Sequence, residues 1–172
     1  MLRHWVRFLS PGLCDSGNEA NGELEMARRN AVHEKITCKK APMPVGPYAQ
    51  AVRIVQPGEM IFVSGQIPIE VPSGQVFRGD IQRQTEIAMN HLKNILAEAG
   101  YSLDELVKCT IFVRDMGDFA AINEIYQGFF TGQSLPARAV VEVSGLPKDV
   151  GVEIEGIAMK AGSGDPLMNA RL

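Results

Sequence analysis

The feature that most constrains the fold of this chain is a helix-forming segment flanked on both sides by short β-prone runs. Asp80 has the short polar side chain typical of a helix N-cap, and Gly100 is typical of the residue that ends a helix. Between them, apolar residues recur at helical spacing on one face: Ile81, Ala88, Leu92, Ile95, Leu96 and Ala99. A helix with a single apolar face must pack on another element, so the segment predicts a helix lying against a sheet.

The β-prone runs supply that sheet. Residues 49–55 and 60–67 are apolar and are separated by Gln56-Pro57-Gly58-Glu59, a sequence typical of a tight turn, so they predict a hairpin. Residues 107–113 alternate between apolar and polar side chains, as a strand with one buried face does. Residues 138–144 and 152–160 are rich in Val and Ile and predict two further strands.

A second helix is predicted after Met116-Gly117-Asp118, which resembles an N-terminal cap. Its apolar stripe consists of Phe119, Ile122, Tyr126, Phe129 and Phe130. The predicted order is β-β-α-β-α-β-β, an α+β fold with a mixed sheet and two helices on one face. Two helices cover only one face of such a sheet, so the other apolar face needs cover and self-association is expected.

Composition excludes several classes of protein. The chain has 172 residues, of which 45% are hydrophobic and 22% charged, as in an ordinary globular domain. A net charge of −3 argues against a nucleic-acid partner, and no apolar run is long enough to predict a membrane span. Three scattered cysteines do not form a disulfide framework, which favours a reducing compartment and a cytoplasmic location.

The two ends differ from the middle of the chain. Residues 1–40 are interpreted as an N-terminal extension, residues 41–161 as the domain and residues 162–172 as a tail. Arg3 and Arg7, with no nearby acid, resemble a transit peptide, which would imply a mitochondrial or plastid location. The alternative is that Met26 is the native start and that residues 1–25 are a leader or a remnant.

Few residues carry an obvious catalytic pattern. His4, His33 and His91 have no second ligand at metal-binding spacing, so no metal site is predicted. There is no nucleophile elbow and no phosphate-binding loop. His91 is interpreted as a packed or partly exposed residue and Cys109 as a core residue, because each lies near or within an apolar stripe.

Charged residues within apolar strands are the remaining candidates. Glu153 and Glu155 share one face of a predicted strand, which is either a solvated edge or a functional surface. Arg138 begins another strand, where its guanidinium could bind a ligand carboxylate or pair with one of these glutamates. Gly65 would allow a ligand to approach the backbone, and Tyr48 follows a rigid Gly-Pro turn.

Five short motifs, in this order, resemble the RidA (YjgF) family. They are Gly46-Pro47-Tyr48-Ala49-Gln50, Phe62-Val63-Ser64-Gly65-Gln66-Ile67, Phe119-Ala120-Ala121-Ile122-Asn123, Leu135-Pro136-Ala137-Arg138, and Leu146-Pro147-Lys148-Asp149-Val150 followed by Glu153-Ile154-Glu155. The resemblance extends over residues 41–160 and leaves most of residues 1–40 outside it.

This resemblance implies a chorismate mutase-like α+β fold and a homotrimer with clefts between subunits. It implies an enamine/imine deaminase that hydrolyses 2-iminobutanoate and 2-iminopropanoate to 2-keto acids and ammonia, with no cofactor and no metal. Arg138 would bind the substrate carboxylate, and Glu155 would position the hydrolytic water. The remaining substrate-binding positions implied are Tyr48, Ser64, Gly65, Asn123 and Val140, some of them contributed by the neighbouring subunit. Val140 stands where some relatives have a cysteine, so any thiol-based activity does not carry over.

Two other functions remain as alternatives. Some members of the family are described as endoribonucleases or translation inhibitors, although the acidic composition argues against RNA as a substrate. A non-catalytic trimer that binds small carboxylates would need Arg138 but not Glu155, so the presence of both favours an enzyme.

Overall fold

The computed structural model describes residues 33–54, 57–131 and 135–161. Its strands are β1 (His33–Ile36), β2 (Ala51–Ile54), β3 (Pro57–Gln66), β4 (Leu106–Val113), β5 (Ala137–Glu142) and β6 (Val152–Ala161). Its α-helices are α1 (Ile81–Glu98) and α2 (Phe119–Gly128). Short 3-10 turns at Leu103–Glu105, Met116–Asp118 and Pro147–Asp149 precede β4, α2 and β6.

The main sheet has four strands in the order β3-β6-β4-β5. β4 and β5 are parallel, because α2 connects them as a crossover, whereas β6 is antiparallel to both β3 and β4. The predicted mixed sheet with two helices is therefore confirmed.

The predicted hairpin between residues 49–55 and 60–67 is wrong. β2 pairs with β1, a strand that the sequence analysis did not predict, and the two form a separate antiparallel sheet. β3 begins at Pro57 instead of turning there, and it pairs with β6 from Pro57 opposite Ala161 to Gln66 opposite Ile154. Proline is tolerated at the first position of a strand, and the long antiparallel partner β6 outweighs the local turn preference.

Helix α1 has the predicted boundaries and cap. The carboxylate of Asp80 accepts a hydrogen bond of 2.8 Å from the backbone N–H of Arg83, and Gly100 has a positive φ of 77° just beyond the helix. At α2, the carboxylate of Asp115 accepts from the N–H of Gly117 at 2.7 Å and fixes the turn that leads into the helix.

The core lies between the helices and one face of the sheet. In β4 the side chains of Cys109, Ile111 and Val113 are fully buried on this face, and in β6 Val152 and Ile154 are as well. Ala88, Met89, Leu92 and Leu96 from α1 and Ile122 and Tyr126 from α2 complete the core cluster.

The other face of the main sheet, called the open face below, has no helix against it within the described residues. It carries Phe62 of β3, 71% exposed, and Val141 of β5, 41% exposed. Strand alternation also places Thr110, Glu153 and Glu155 there, because their neighbours in the chain point into the core.

Within the described residues, no helix is long and apolar enough to cross a membrane. The predictions for residues 1–32, including the transit peptide and His4, and for the tail 162–172 lie outside the described residues.

Candidate functional site

Arg138 is held between two aromatic rings. On β5 it lies directly opposite Cys109 of β4, so its side chain leaves the sheet on the helix side. Its guanidinium carbon is 4.7 Å from the ring centroid of Tyr126 on α2 and 5.9 Å from that of Tyr48. Both distances are within cation–π range, so the cation is fixed by elements on two sides.

No carboxylate of the described residues pairs with the Arg138 guanidinium. Among the described residues, the ion pairs are Arg53–Glu34 and Arg83–Glu86, and neither involves Arg138. Its Nη1 atom is buried and makes no hydrogen bond to any residue that the structure describes. Burial lowers the pKa of Arg138, although an arginine remains protonated at any physiological pH. A half-buried cation with an unpaired donor is therefore available to an anionic ligand.

The loop that carries Tyr48 is fastened to the fold at both ends. The backbone N–H of Ala49 donates to the carbonyl of Pro136 at 3.1 Å, just before Arg138. On the other side, the side-chain amide of Gln50 accepts from the N–H of Cys38 at 2.6 Å and donates to the carbonyl of Pro42 at 2.6 Å. These contacts hold the Tyr48 ring beside the guanidinium.

Helix α2 contributes two further buried polar atoms. Asn123 and Tyr126 lie one turn apart on this helix. In the described part of the chain, Asn123 Oδ1 and the Tyr126 hydroxyl are buried without a hydrogen bond of good geometry, although the hydroxyl interacts with the Cys109 thiol. Burial raises the pKa of Tyr126 far above its ordinary value, so the phenol stays protonated. We call Tyr48, Asn123, Tyr126 and Arg138 the arginine half of the site.

Val140 and Cys109 lie beside the arginine half, and both pack into the core. Val140 follows Arg138 on the same side of β5 and packs against the core. Burial raises the pKa of Cys109 to about 12, so it is a neutral thiol and not a nucleophile. The prediction that Cys109 is a core residue is confirmed. His91 is partly buried, and its Nε2 lies 2.7 Å from the carbonyl oxygen of Ile69.

The predicted carboxylates lie on β6. Glu153 is opposite Phe112 of β4 and Glu155 is opposite Thr110, so both project from the open face. A register shift between Val63 and Gln66 of β3 interrupts the alternation there. As a result Gly65 faces Glu153, and a Cβ placed on Gly65 would overlap that carboxylate, 2.7 Å from its Cδ atom. Ser64 is exposed next to it. We call Ser64, Gly65, Glu153 and Glu155 the carboxylate half.

One chain does not bring the two halves together. Arg138 is opposite Cys109, whereas Glu155 is opposite Thr110, the next residue of β4. Neighbouring residues in a strand point to opposite faces, so Arg138 and Glu155 lie on opposite sides of the sheet. A substrate of a few carbon atoms cannot contact both side chains in a single subunit.

Comparison with known proteins identifies the family. The sequence model of the family described as Endoribonuclease L-PSP matches residues 38–160. The chain belongs to the RidA (YjgF) family. A RutC family protein of Pyrococcus abyssi is 50% identical over 127 residues, which cover 74% of this chain and 97% of that protein. The 2-iminobutanoate/2-iminopropanoate deaminase of Escherichia coli K12 is 42% identical over 127 residues, covering 73% of this chain and 96% of the relative.

A solved RidA-family structure has the same fold. The crystal structure of Escherichia coli TdcF with bound serine matches with a TM-score of 0.57 and 40% sequence identity, and the match covers 74% of this chain and 99% of TdcF. The resemblance derived from the five motifs is confirmed, as is the α+β fold class.

Two residues that shape the site, Gln50 and Tyr126, were not predicted to do so from the sequence. Gln50 was noted only within a motif and Tyr126 only as a core aromatic, because their contacts with residues 38–42 and with Arg138 join distant parts of the chain. Glu153 was visible as the partner of Glu155 on one strand face, but its contact with Gly65 depends on the irregular register of β3.

Proposed function

We propose that this protein hydrolyses reactive 2-imino and enamino acids, such as 2-iminobutanoate and 2-iminopropanoate, to 2-keto acids and ammonia. The observation that carries the proposal is the half-buried guanidinium of Arg138 with its unpaired Nη1. A planar, permanently charged fork suits a substrate carboxylate. The named activity of the Escherichia coli relative supports the same chemistry.

The reaction needs a water held against the C=N carbon. A carboxylate on β6 accepts a proton from this water as its oxygen bonds to the carbon, and it passes that proton to the imine nitrogen. In the resulting carbinolamine, the hydroxyl proton moves through the same carboxylate to the amino nitrogen as the C–N bond breaks, so that the keto C=O bond forms and ammonia leaves. No electrons are gained or lost, so the reaction requires no redox cofactor.

The carboxylate that positions the water belongs to the pair Glu153 and Glu155. The family resemblance assigned this role to Glu155. The contact between Glu153 and Gly65 favours Glu153, because a ligand beside the Gly65 backbone would also touch that carboxylate. Separate glutamine substitutions distinguish the two assignments.

We further propose that the complete site forms between subunits of a homotrimer. The two halves lie on opposite sides of one sheet, so the arginine half of one subunit must meet the carboxylate half of the next. The open face supports this arrangement, since Phe62 and Val141 are exposed there and would gain cover by association.

The decisive assay generates 2-iminobutanoate in situ with a threonine dehydratase and traps it with semicarbazide. The protein should lower semicarbazone formation at micromolar concentration. Arg138→Ala should be nearly inactive, and Arg138→Lys should lose binding as well as orientation because it keeps the charge without the fork. Full semicarbazone formation in the presence of folded protein would contradict the deaminase.

The assay also distinguishes the residues of the carboxylate pair. The variant that removes the water-positioning carboxylate should lose about 10²–10⁴-fold in turnover while binding 2-ketobutyrate normally. The other glutamine variant should keep most of the activity and serves as its control. If both variants are as active as the parent, neither carboxylate activates the water.

An endoribonuclease is the second candidate, because that activity is the description of the matched family. Incubating the same preparation with labelled single-stranded RNA tests it directly. RNA cleavage that survives Arg138→Ala, together with no effect on semicarbazone formation, would favour this candidate.

A further inference from the structure

The aromatic ring beneath Arg138 has no role in the reaction described above. Tyr126 is fully buried on α2, yet its ring lies 4.7 Å from the Arg138 guanidinium and 4.8 Å from the ring of Phe130. Among the described residues, its hydroxyl interacts with the Cys109 thiol but makes no hydrogen bond of good geometry, so the hydroxyl alone does not explain a tyrosine at this position. Its packing on α2 holds one face of the ring against the Arg138 guanidinium.

A half-buried arginine normally pairs with a carboxylate, which would both neutralise it and fix its rotamer. Such a partner would also compete with an anionic substrate. An aromatic face holds a guanidinium in place by attraction to the ring quadrupole and leaves its hydrogen-bond donors free. The Nη1 atom of Arg138 is such a free donor, because it is buried and unpaired among the described residues.

We propose that Tyr126 is the positioning residue of the arginine half, whose ring holds the Arg138 guanidinium in the orientation that binds a substrate carboxylate. This inference rests on the proposed function, since it assigns the anchor for the same substrate. The ring, and not the hydroxyl, is the active part. Tyr48 covers the guanidinium from a greater distance, 5.9 Å, and from a loop instead of a helix.

Two substitutions of Tyr126 test the proposal, with the dissociation constant of 2-ketobutyrate and the KM and kcat of the trapping assay as readouts. Tyr126→Phe keeps the ring and should bind within about threefold of the parent. Tyr126→Met keeps an apolar side chain of adaptable shape without a ring, and it should weaken binding and raise KM by about tenfold or more. kcat should fall less than KM rises, because the residue acts on the anchor.

Tyr101 provides a matched control. Its ring lies 4.4 Å from the Lys160 ammonium, is similarly buried and belongs to the same core cluster, but it is not part of either half of the site. Tyr101→Met should reduce stability without changing the dissociation constant. Equal binding losses in Tyr101→Met and Tyr126→Met would overturn the proposal, because general loosening of the core would then explain both.

If Tyr126→Met does not fold, site-specific incorporation of phenylalanines with one, two and three fluorine atoms at position 126 gives the answer. Fluorine weakens the negative face of the ring with little change of shape, so 2-ketobutyrate affinity should fall stepwise with each fluorine. A constant affinity across the series would overturn the role of Tyr126. Arg138→Ala distinguishes failure of the Tyr126 role from failure of the proposed function. If this variant binds 2-ketobutyrate as well as the parent does, Arg138 is not the carboxylate anchor.

Discussion

The carboxylate of Glu153 occupies the space that a side chain on Gly65 would fill. A Cβ at residue 65 would lie 2.7 Å from Glu153 Cδ and 2.9 Å from its Cγ, closer than non-bonded atoms approach. Glycine at this position therefore allows a β6 carboxylate to lie directly against the backbone of β3.

Gly65→Ala should displace the Glu153 side chain from the β3 backbone and reduce deaminase activity by at least about tenfold, the scale on which misplaced catalytic groups act. Gly145→Ala is the control, because no atom of the described residues lies within 4 Å of a Cβ added there. Activity and melting temperature of both variants should be measured together. Parental activity in a folded Gly65→Ala protein would show that the position of Glu153 is not needed.

Gly156→Ala should destabilise the fold. An added Cβ would lie 2.8 Å from Leu106 Cδ1 and 3.3 Å from Leu92 Cδ1, in the core between β6 and α1. Overpacking of this kind costs about 1–3 kcal/mol, which urea denaturation can measure. In contrast, a Cβ at Gly128 meets no atom of the described residues within 4 Å, so Gly128→Ala should leave the free energy of unfolding unchanged or raise it slightly.

The stability of the fold should fall at alkaline pH because of Cys109. Burial raises the pKa of its thiol from 9.0 to about 12, so the thiolate forms in the unfolded chain before it forms in the folded one. The contribution of the neutral thiol is therefore complete below about pH 9 and is lost as the pH rises towards 12. The loss reaches at most about 1.4 kcal/mol per pH unit.

Urea denaturation of the parent and of Cys109→Ala at intervals from pH 8 to 11 measures this effect. Burial raises the pKa of Tyr126 too, and Cys109 raises it further, so Cys109→Ala also reduces the Tyr126 contribution. The variant should thus show the shallower decline. Parallel curves would contradict an elevated pKa for Cys109.

Two truncations of the N-terminus should differ in their effect on activity. Deleting residues 1–25 should leave assembly and activity intact, since the family match begins at residue 38. Deleting residues 1–40 removes β1 and the Cys38 backbone that Gln50 contacts, so the Tyr48 loop should loosen and activity should fall. Hydrogen exchange at the Ala49 amide, which donates to Pro136, reports on this loop. Equal activity of the two truncated proteins would exclude a role for β1 and the Gln50 contacts.

Phe62→Glu should dissociate the proposed trimer. This side chain is 71% exposed on the open face, where an apolar contact between subunits would bury it and a carboxylate would oppose burial. Ile95→Glu makes the same chemical change on helix α1, at a residue that is 38% exposed, and should leave assembly unchanged. Light scattering at low micromolar concentration decides: a monomeric parent protein would contradict the trimer.

The sequence by itself determined the elements whose signals are local. The Asp80 cap and Gly100 mark the boundaries of α1, and the alternation around Cys109 marks β4, because capping and side-chain periodicity depend only on near neighbours. Motifs such as Leu135-Pro136-Ala137-Arg138 identified the family and the candidate residues for the same reason, since each is read within a few positions.

Only the tertiary structure decided how those elements and residues meet. Pro57 and Gly58 favoured a turn, but pairing with the long strand β6 placed them in β3 instead. The contacts of Tyr126 with Arg138 and of Gly65 with Glu153 join segments far apart in the chain, and the second depends on a register shift that no local pattern announces. Strand register placed Arg138 and Glu155 on opposite faces of the sheet, because each one-residue step along β4 reverses the face on which its partners lie.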